Sequence, residues 1–182
     1  MKFQKLKIDG LIVVEPLVHG DERGFFLERY IKRVFSENGV NSDFVQDNHS
    51  QSTRGVLRGL HFQAPPHAQD KLVWVVSGEV FDVAVDLRLG SPTFGQGEAV
   101  TLSAENKKMF FIPQGFAHGF QVVSETADVL YKISDYYFPE LDMGIRWDDP
   151  DLGIKWPLPN PIVSAKDQKI FLLKDFKSPF TF

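Results

Sequence analysis

The 182-residue sequence contains no cysteine, which excludes disulfide bonds, thiolate nucleophiles and cysteine-ligated zinc sites. It also lacks any apolar run of the roughly 20 residues that a membrane-spanning helix needs. Its first ten residues, MKFQKLKIDG, lack the apolar centre of a signal peptide. We therefore expect a cytoplasmic protein with no membrane partner.

The sequence has no excess of positive charge, since its formal net charge is −4 at pH 7. A chain of this charge has no general attraction for nucleic acid, so we expect no nucleic-acid partner. Any bound phosphate would have to be held by a few local arginines. Internal repeats and linkers rich in Pro, Gly or Ser are also missing, and the length suits one domain over residues 1–182.

Short segments with a two-residue period, separated by turn residues, dominate the sequence. The run KLVWVVSGEVFDVAVDLR (71–88) predicts two strands joined by a tight hairpin at residues 77–79. In the second strand, Asp82 and Asp86 alternate with apolar residues and should face away from the apolar side. Repeated short strands of this kind predict a mainly β protein, an antiparallel jelly-roll barrel made of two sheets.

Short helices are predicted beside the strands. One covers residues 31–38, and Gly39 supplies the left-handed stop that follows it. A C-terminal helix is predicted from the sequence SAKD at residues 164–167, which resembles a capping box, to about residue 174.

A polar strand face points to a ligand inside the barrel. In FVQDNHSQS, four polar residues with a two-residue spacing share one face of a predicted strand: Gln46, Asn48, Ser50 and Ser52. A buried amide without a partner costs about 1–3 kcal/mol. A cavity that holds a polar ligand therefore explains this face better than a plain hydrophobic core.

The segment RGVLRGLHFQ (54–63) places a histidine in a strand-like run. His61 is either a core histidine bonded to backbone or a base in a pocket that also binds an anion. On a regular strand Arg58 and His61 would face opposite sides, so a shared cavity requires a bulge, which Gly59 could form. The predicted polar face nearby favours the base.

Two further side chains have a structural and a functional interpretation. Tyr131 shares a face with apolar residues in ADVLYKI. It is either a packed phenol or a general acid whose pKa is drawn down from about 10 by a neighbouring cation, for which Lys71 is one candidate. Asp167 is either a helix N-terminal carboxylate or the group that fixes the tautomer of His61.

Other charged and aromatic residues suit a nucleotide ligand better than a metal. Arg23 and Arg58 together could clamp a diphosphate by bidentate hydrogen bonds. The tyrosines of DYYFPE (135–140) either pack at a barrel rim or stack on a base or sugar. A jelly-roll metal site usually needs a His-x-His pair, but Gln63 occupies the second position after His61, so we expect no metal.

Six motifs follow one another along the chain: ERGFF, VQDNHSQSTRGVLRGLHFQ, GEVFDVAVDLRLGSPTFGQ, IPQGFAHGF, GIRWDDPDLGIKWP and SAKDQ. Their order resembles that found in the dTDP-4-dehydrorhamnose 3,5-epimerases. The sequence resembles that family over nearly its whole length. The resemblance implies a cupin-like jelly roll that works without metal or cofactor as a homodimer with exchanged N-terminal strands. It also implies inversion of C3 and C5 of a dTDP-4-keto-6-deoxyhexose, the step before reduction to dTDP-rhamnose for cell-surface carbohydrates such as O-antigen.

The same resemblance implies a role for individual residues. His61 matches the proton-abstracting base, Tyr131 the proton donor, Asp167 the carboxylate paired with the histidine, and Lys71 the lysine beside the sugar carbonyl. Tyr137 matches the aromatic residue that stacks on thymine. The remaining matches to substrate-binding positions are Arg23, Glu28, Gln46, Asn48, Arg58, His118, Asp142 and Lys166.

Several alternatives fit the same motifs. An epimerase acting at C3 or C5 alone, or a ketoisomerase of a related nucleotide sugar, would also need a base that forms an enolate. A binding module without turnover would have no need of the acid–base combination of His61, Lys71 and Tyr131. A metal-dependent cupin oxygenase is a third possibility that metal analysis would test.

Overall fold

Two antiparallel sheets and one separate ribbon contain all the strands of the protein. The computed structural model describes residues Met1–Phe182. The strands are β1 (Lys2–Lys5), β2 (Ile12–Glu15), β3 (Val18–Asp21), β4 (Gly24–Leu27), β5 (Gln46–Thr53), β6 (Leu57–Gln63), β7 (Lys71–Ser77), β8 (Glu79–Asp86), β9 (Gly97–Ser103), β10 (Met109–Ile112), β11 (Phe116–Val122), β12 (Thr126–Ile133) and β13 (Asp142–Gly144). The larger sheet has the order β1-β2-β10-β7-β12-β5, the smaller sheet β13-β6-β11-β8-β9, and the ribbon is β3-β4. The predicted mainly β, antiparallel jelly-roll fold is confirmed.

The main core lies between the two sheets. Val75 and Phe110 of the larger sheet pack in one cluster with Ala84 and Phe120 of the smaller sheet. Fully burying a Val or Phe side chain contributes on the order of 1.5–3 kcal/mol. This packing fixes the distance between the sheets and so the walls of any cavity between them.

The predicted hairpin at residues 77–79 is wrong, because β7 and β8 lie in different sheets. The chain crosses from one sheet to the other at Gly78, whose φ is +73°. A Cβ at Gly78 would lie 1.9 Å from the Thr126 carbonyl oxygen. A two-residue period with a Ser-Gly turn describes an inter-sheet corner as well as a hairpin, so the local sequence could not separate them.

The predicted separation of the two faces of β8 is confirmed, and the face that carries the aspartates is the interior one. Asp82 and Asp86 alternate with apolar residues as expected, yet both are fully buried. They share the interior face with Ala84, which packs in the inter-sheet core. The opposite apolar face, including Val83 and Val85, is covered by the C-terminal segment. Since both faces are buried, hydrophobicity alone did not show which one faces inward.

The helix predicted at residues 31–38 is confirmed as α1 (Lys32–Glu37), followed by Gly39 at a φ of +89°. The predicted C-terminal α-helix is wrong. Residues 164–174 contain instead two 3₁₀ turns, Asp167–Lys169 and part of Leu173–Asp175.

The chain becomes extended at Ile170, and Phe171 forms a β-bridge with Ile145 that takes the backbone out of the helical path. Tertiary pairing therefore overrides the local capping signal. A third 3₁₀ turn spans Pro139–Leu141. None of these helices has the length and apolarity needed to cross a bilayer.

Candidate active site

A cavity between the two sheets is lined largely by polar and ionisable side chains. It has a large compartment of about 460 Å³ and a small compartment of about 360 Å³, which is within the size range of small-molecule sites. Three side chains line both compartments: His61, Lys71 and Tyr131. The large compartment adds Ser50, Arg58, His118, Lys166 and Asp167. The small compartment adds Gln46, Asn48, Gln69, Tyr137 and Asp142.

A bulge in β6 lets Arg58 and His61 reach one compartment. The pairing with β11 shifts register, because His61 lies opposite His118 while Arg58 lies opposite Phe120. Gly59 occupies the extra position with a φ of +133°, a conformation that side-chain-bearing residues rarely adopt. The predicted bulge is confirmed. Because of the extra residue, Arg58 and His61 face the same side of the strand instead of opposite sides.

His61 is hydrogen-bonded to a carboxylate from the C-terminal segment. Its Nε2 lies 2.7 Å from Oδ1 of Asp167, which is 3% exposed. A carboxylate only accepts, so the proton of the neutral imidazole is assigned to Nε2, leaving the Nδ1 lone pair free to act as a base.

Burial raises the pKa of Asp167, but the hydrogen bond and charge of His61, together with hydrogen bonds from the Gly59 backbone and Ser164, outweigh burial and hold the pKa below its ordinary value. The Asp167 backbone N–H also donates to Ser164 Oγ at 3.1 Å. The carboxylate of Asp167 thus bonds His61, as one interpretation expected, whereas the other is wrong because no α-helix begins at Asp167.

Tyr131 reaches the cavity from β12, the strand next to the β5 edge of the larger sheet. On β12 it lies opposite Asn48 of β5 and Val73 of β7. Burial raises the pKa of Tyr131, and the positive charge of Arg58 lowers it only in part. The expected lowering of this pKa is therefore wrong, and the cation that opposes burial is Arg58 rather than Lys71. A phenol with a raised pKa keeps its proton at neutral pH, which is the form that a general acid needs.

Lys71 places an ammonium group in the same cavity as the acid and the base. Its Nζ donates to the backbone carbonyl of His61 at 3.4 Å. Burial lowers the pKa of Lys71 to about 8, although the negative charges of Asp142 and Asp82 oppose the shift. Lys71 is therefore still predominantly charged at pH 7 and can stabilise a developing anion.

A second imidazole–carboxylate pair was not predicted from the sequence. His118 Nε2 lies 2.9 and 3.0 Å from the two carboxylate oxygens of Asp82. Burial raises the pKa of Asp82, opposed by His118 and by Lys71. An acid at an interior strand position needs a partner, but the sequence did not show which face of β8 is the interior one.

Side-chain hydrogen bonds connect the residues at the rim of the small compartment. The hydroxyl of Tyr137 donates to Asp142 Oδ2 at 2.9 Å, and the ammonium of Lys166 contacts the same carboxylate. The Gln46 amide donates to Asn48 Oδ1 at 2.9 Å. These five residues, all predicted to bind substrate, therefore lie around the cavity.

The structure does not bring Arg23 and Glu28 to this cavity. Arg23 lies at the turn of the β3–β4 ribbon, where it is paired with Asp21. Glu28 is exposed just beyond the end of β4. A clamp made by Arg23 and Arg58 is therefore not formed within one chain.

The cavity histidines are each paired with one aspartate, His61 with Asp167 and His118 with Asp82. No group of three or more His, Asp or Glu side chains is placed to hold a metal ion. The absence of a metal from the reaction stays a prediction.

Comparison with known proteins identifies the family. Residues 5–175 match the family model described as dTDP-4-dehydrorhamnose 3,5-epimerase. A protein of that name from Pseudomonas aeruginosa is 57% identical over 171 residues, covering 93% of this chain and 94% of the relative. One from Shigella flexneri is 54% identical over 168 residues, covering 92% and 93%.

A solved structure agrees with the sequence relatives. The dTDP-6-deoxy-D-glucose-3,5-epimerase of Legionella pneumophila, in complex with dTDP-4-keto-L-rhamnose, is 52% identical with a TM-score of 0.93, covering 97% of this chain and 94% of that chain. The matches extend over nearly the whole chain and include all the elements that line the cavity. This chain belongs to the dTDP-4-dehydrorhamnose 3,5-epimerase family.

Proposed function

We propose that the protein is an isomerase that inverts C3 and C5 of dTDP-4-dehydro-6-deoxy-D-glucose to give dTDP-4-dehydro-L-rhamnose. The main support for this proposal is that one compartment is lined by the hydrogen-bonded His61–Asp167 pair, by Lys71 and by Tyr131. The family and the sugar nucleotide bound to the Legionella relative support this substrate class.

The chemistry follows from the position of the carbonyl. C3 and C5 both flank C4, so removal of either proton places the charge on the same oxygen. His61 Nδ1 takes the proton, the C–H electron pair forms a carbon–carbon double bond, and the C4 oxygen becomes negative. Tyr131 then delivers its proton to the opposite face of the carbon, and the carbonyl re-forms. Solvent reprotonates the phenolate and deprotonates the imidazolium before the second carbon reacts.

Lys71 serves both half-reactions because the anion develops on one atom. A fixed cation near that oxygen stabilises each enolate without reorganisation, and such preorganised charge is usually the largest catalytic contribution. Burial of Lys71 is consistent with this role, since electrostatic interactions strengthen where water is excluded. Asp167 acts as a positioning residue that orients His61.

The remaining cavity residues are proposed to bind the nucleotide sugar. Tyr137 at the rim of the small compartment presents an aromatic ring to which the thymine can stack. Arg58 supplies a guanidinium for the diphosphate. The other proposed substrate contacts are Gln46, Asn48, His118, Asp142 and Lys166.

The proposal also includes a single domain and a cytoplasmic location for the protein. Strands of both sheets and residues 164–167 together enclose the cavity, which supports one domain over residues 1–182. A cytoplasmic location suits a substrate that is a nucleotide sugar.

The product assay tests the proposed function. The purified protein is incubated with dTDP-4-keto-6-deoxyglucose in D2O, and proton NMR follows the signals of C3 and C5. We expect both positions to exchange and both to be inverted in the product. Inversion at one carbon alone would assign the protein to the single-site epimerases, and a shifted carbonyl would assign it to the ketoisomerases. Binding without exchange would contradict catalysis altogether.

A homodimer would explain the two predicted residues that lie outside the cavity. The ribbon that carries Arg23 exposes Phe25 and Phe26 at 62% and 64%, and an exposed apolar patch of this kind indicates an interaction surface. We propose that a partner copy covers the ribbon and that exchanged N-terminal segments bring Arg23 and Glu28 to the partner's cavity.

Hybrid dimers test whether Arg23 acts across the interface. Arg23→Ala should lower kcat/KM by about 10-fold or more, since a charged hydrogen bond to substrate is lost. A purified hybrid of an Arg23→Ala chain and a His61→Asn chain, carrying different tags, should recover about half of the wild-type activity, because one of its two sites is intact. A hybrid no more active than the mean of the two parent variants would contradict the exchange.

A further inference from the structure

One buried hydroxyl in the cavity wall has no hydrogen-bond partner. The Oγ of Ser50 is the only buried side-chain nitrogen or oxygen of the protein that forms no hydrogen bond. Ser50 lies in β5 on the same face as Asn48 and Ser52, and it lines the large compartment. The unpaired hydroxyl therefore belongs to a residue in the wall of the compartment that the acid and the base also line.

The neighbours of Ser50 on that face are already bonded. Ser52 Oγ accepts from Arg58 Nε at 3.0 Å, and Asn48 Oδ1 accepts from Gln46 at 2.9 Å. Leaving a buried hydroxyl unbonded costs free energy in the folded protein. An unpaired buried group in a folded protein calls for an explanation, and at a residue that lines a cavity a bound ligand can supply the missing partner.

The position of Ser50 indicates which part of a ligand it meets. Ser50 lies opposite Val129, and the next inward-facing pair along these strands is Asn48 opposite Tyr131. Ser50 and Tyr131 are therefore diagonal neighbours on paired strands, a spacing of roughly 7–8 Å, and they border the same part of the cavity wall. Ser50 is absent from the lining of the small compartment, which holds Tyr137.

We infer that Ser50 is a further substrate-binding residue, whose hydroxyl bonds a hydroxyl or ring oxygen of the hexose rather than the nucleotide. This inference rests on the proposed function for the identity of the sugar nucleotide. The hydrogen bond positions the hexose ring between His61 and Tyr131 and is present both before and during proton transfer. Its loss therefore affects KM more than kcat.

The variant Ser50→Ala separates substrate binding from folding. It removes an unpaired polar atom, so the melting temperature should be unchanged or slightly higher. For dTDP-4-keto-6-deoxyglucose, KM should rise by about 10-fold or more, because a buried group of the substrate loses its partner. Thr53→Ala is the matched control, since it deletes a hydroxyl from the exposed face of the same strand and should leave both quantities unchanged.

Calorimetric titration locates the contact without turnover. In Ser50→Ala, affinity for dTDP-glucose should fall by about 10-fold or more, while affinity for dTDP should stay at the wild-type value. Unchanged KM and unchanged dTDP-glucose affinity would overturn the inference, and so would an equal loss of affinity for both ligands. Failure of the proposed function would be seen separately, as absence of epimerisation by the wild-type protein.

Discussion

Replacing His61 with Asn is expected to lower epimerisation at both carbons by about 1,000-fold or more, since a positioned general base contributes roughly 10²–10⁴. Exchange of the C3 and C5 protons with D2O should be lost together with inversion, because one imidazole serves both carbons. Proton NMR of dTDP-4-keto-6-deoxyglucose during incubation with the variant measures exchange and inversion in one experiment.

The variant should still fold. Asn is too short to replace Nε2 as the donor to Asp167, but the buried carboxylate keeps its hydrogen bonds from the Gly59 backbone and the Ser164 side chain. His49→Asn is a matched control, because His49 is also bonded to an aspartate, Asp128 at 2.9 Å, but is exposed outside the cavity. Full activity is expected from that control. Retained exchange in a folded His61→Asn protein would refute the assignment of the base.

The parts of the site that could be predicted are those determined by local rules. A polar residue at every second position identified the inward face of β5, and strand parity required a bulge near Gly59. Both features follow from the two-residue repeat of a strand. The resemblance to the family then linked His61, Asp167 and Tyr131, which lie far apart in the sequence.

The parts that could not be predicted depend on tertiary context. Both faces of β8 are buried, so the interior position of Asp82 was not apparent from its alternation with valines. The capping signal at Ser164 does form its hydrogen bond, but a β-bridge between Phe171 and Ile145 ends the helical path. The raised pKa of Tyr131 results from burial, which a single strand sequence does not report.

The cavity contains two imidazole–carboxylate pairs, His61–Asp167 and His118–Asp82, to which the proposed mechanism gives different roles. His61 and His118 lie opposite each other on β6 and β11, yet their carboxylates come from different parts of the chain. The negative charge of Asp82 also opposes the lowering of the Lys71 pKa by burial. In the proposed mechanism the His118–Asp82 pair supports the lysine that stabilises the anion, while the His61–Asp167 pair supplies the base.

Tyr131→Phe is expected to separate proton removal from inversion. The base and the cation remain, so C3 and C5 protons should still exchange with D2O at a rate within about 10-fold of the wild-type rate. Inversion should fall by about 10²–10⁴-fold, because no acid delivers a proton to the opposite face. The deuteron is then returned by His61 to the face from which the proton was taken. NMR of recovered substrate should show deuterium with the original configuration.

A matched control and a stability measurement complete this test. Phe keeps the ring that packs against the inter-sheet core beside Val129, so the melting temperature should change little. Tyr136→Phe removes a hydroxyl from an exposed residue that lines neither compartment and should turn over normally. Normal inversion by Tyr131→Phe would show that another group donates the proton. Loss of both exchange and inversion would show that the phenol is needed to form the enolate, and the assignment of Tyr131 as a donor alone would be wrong.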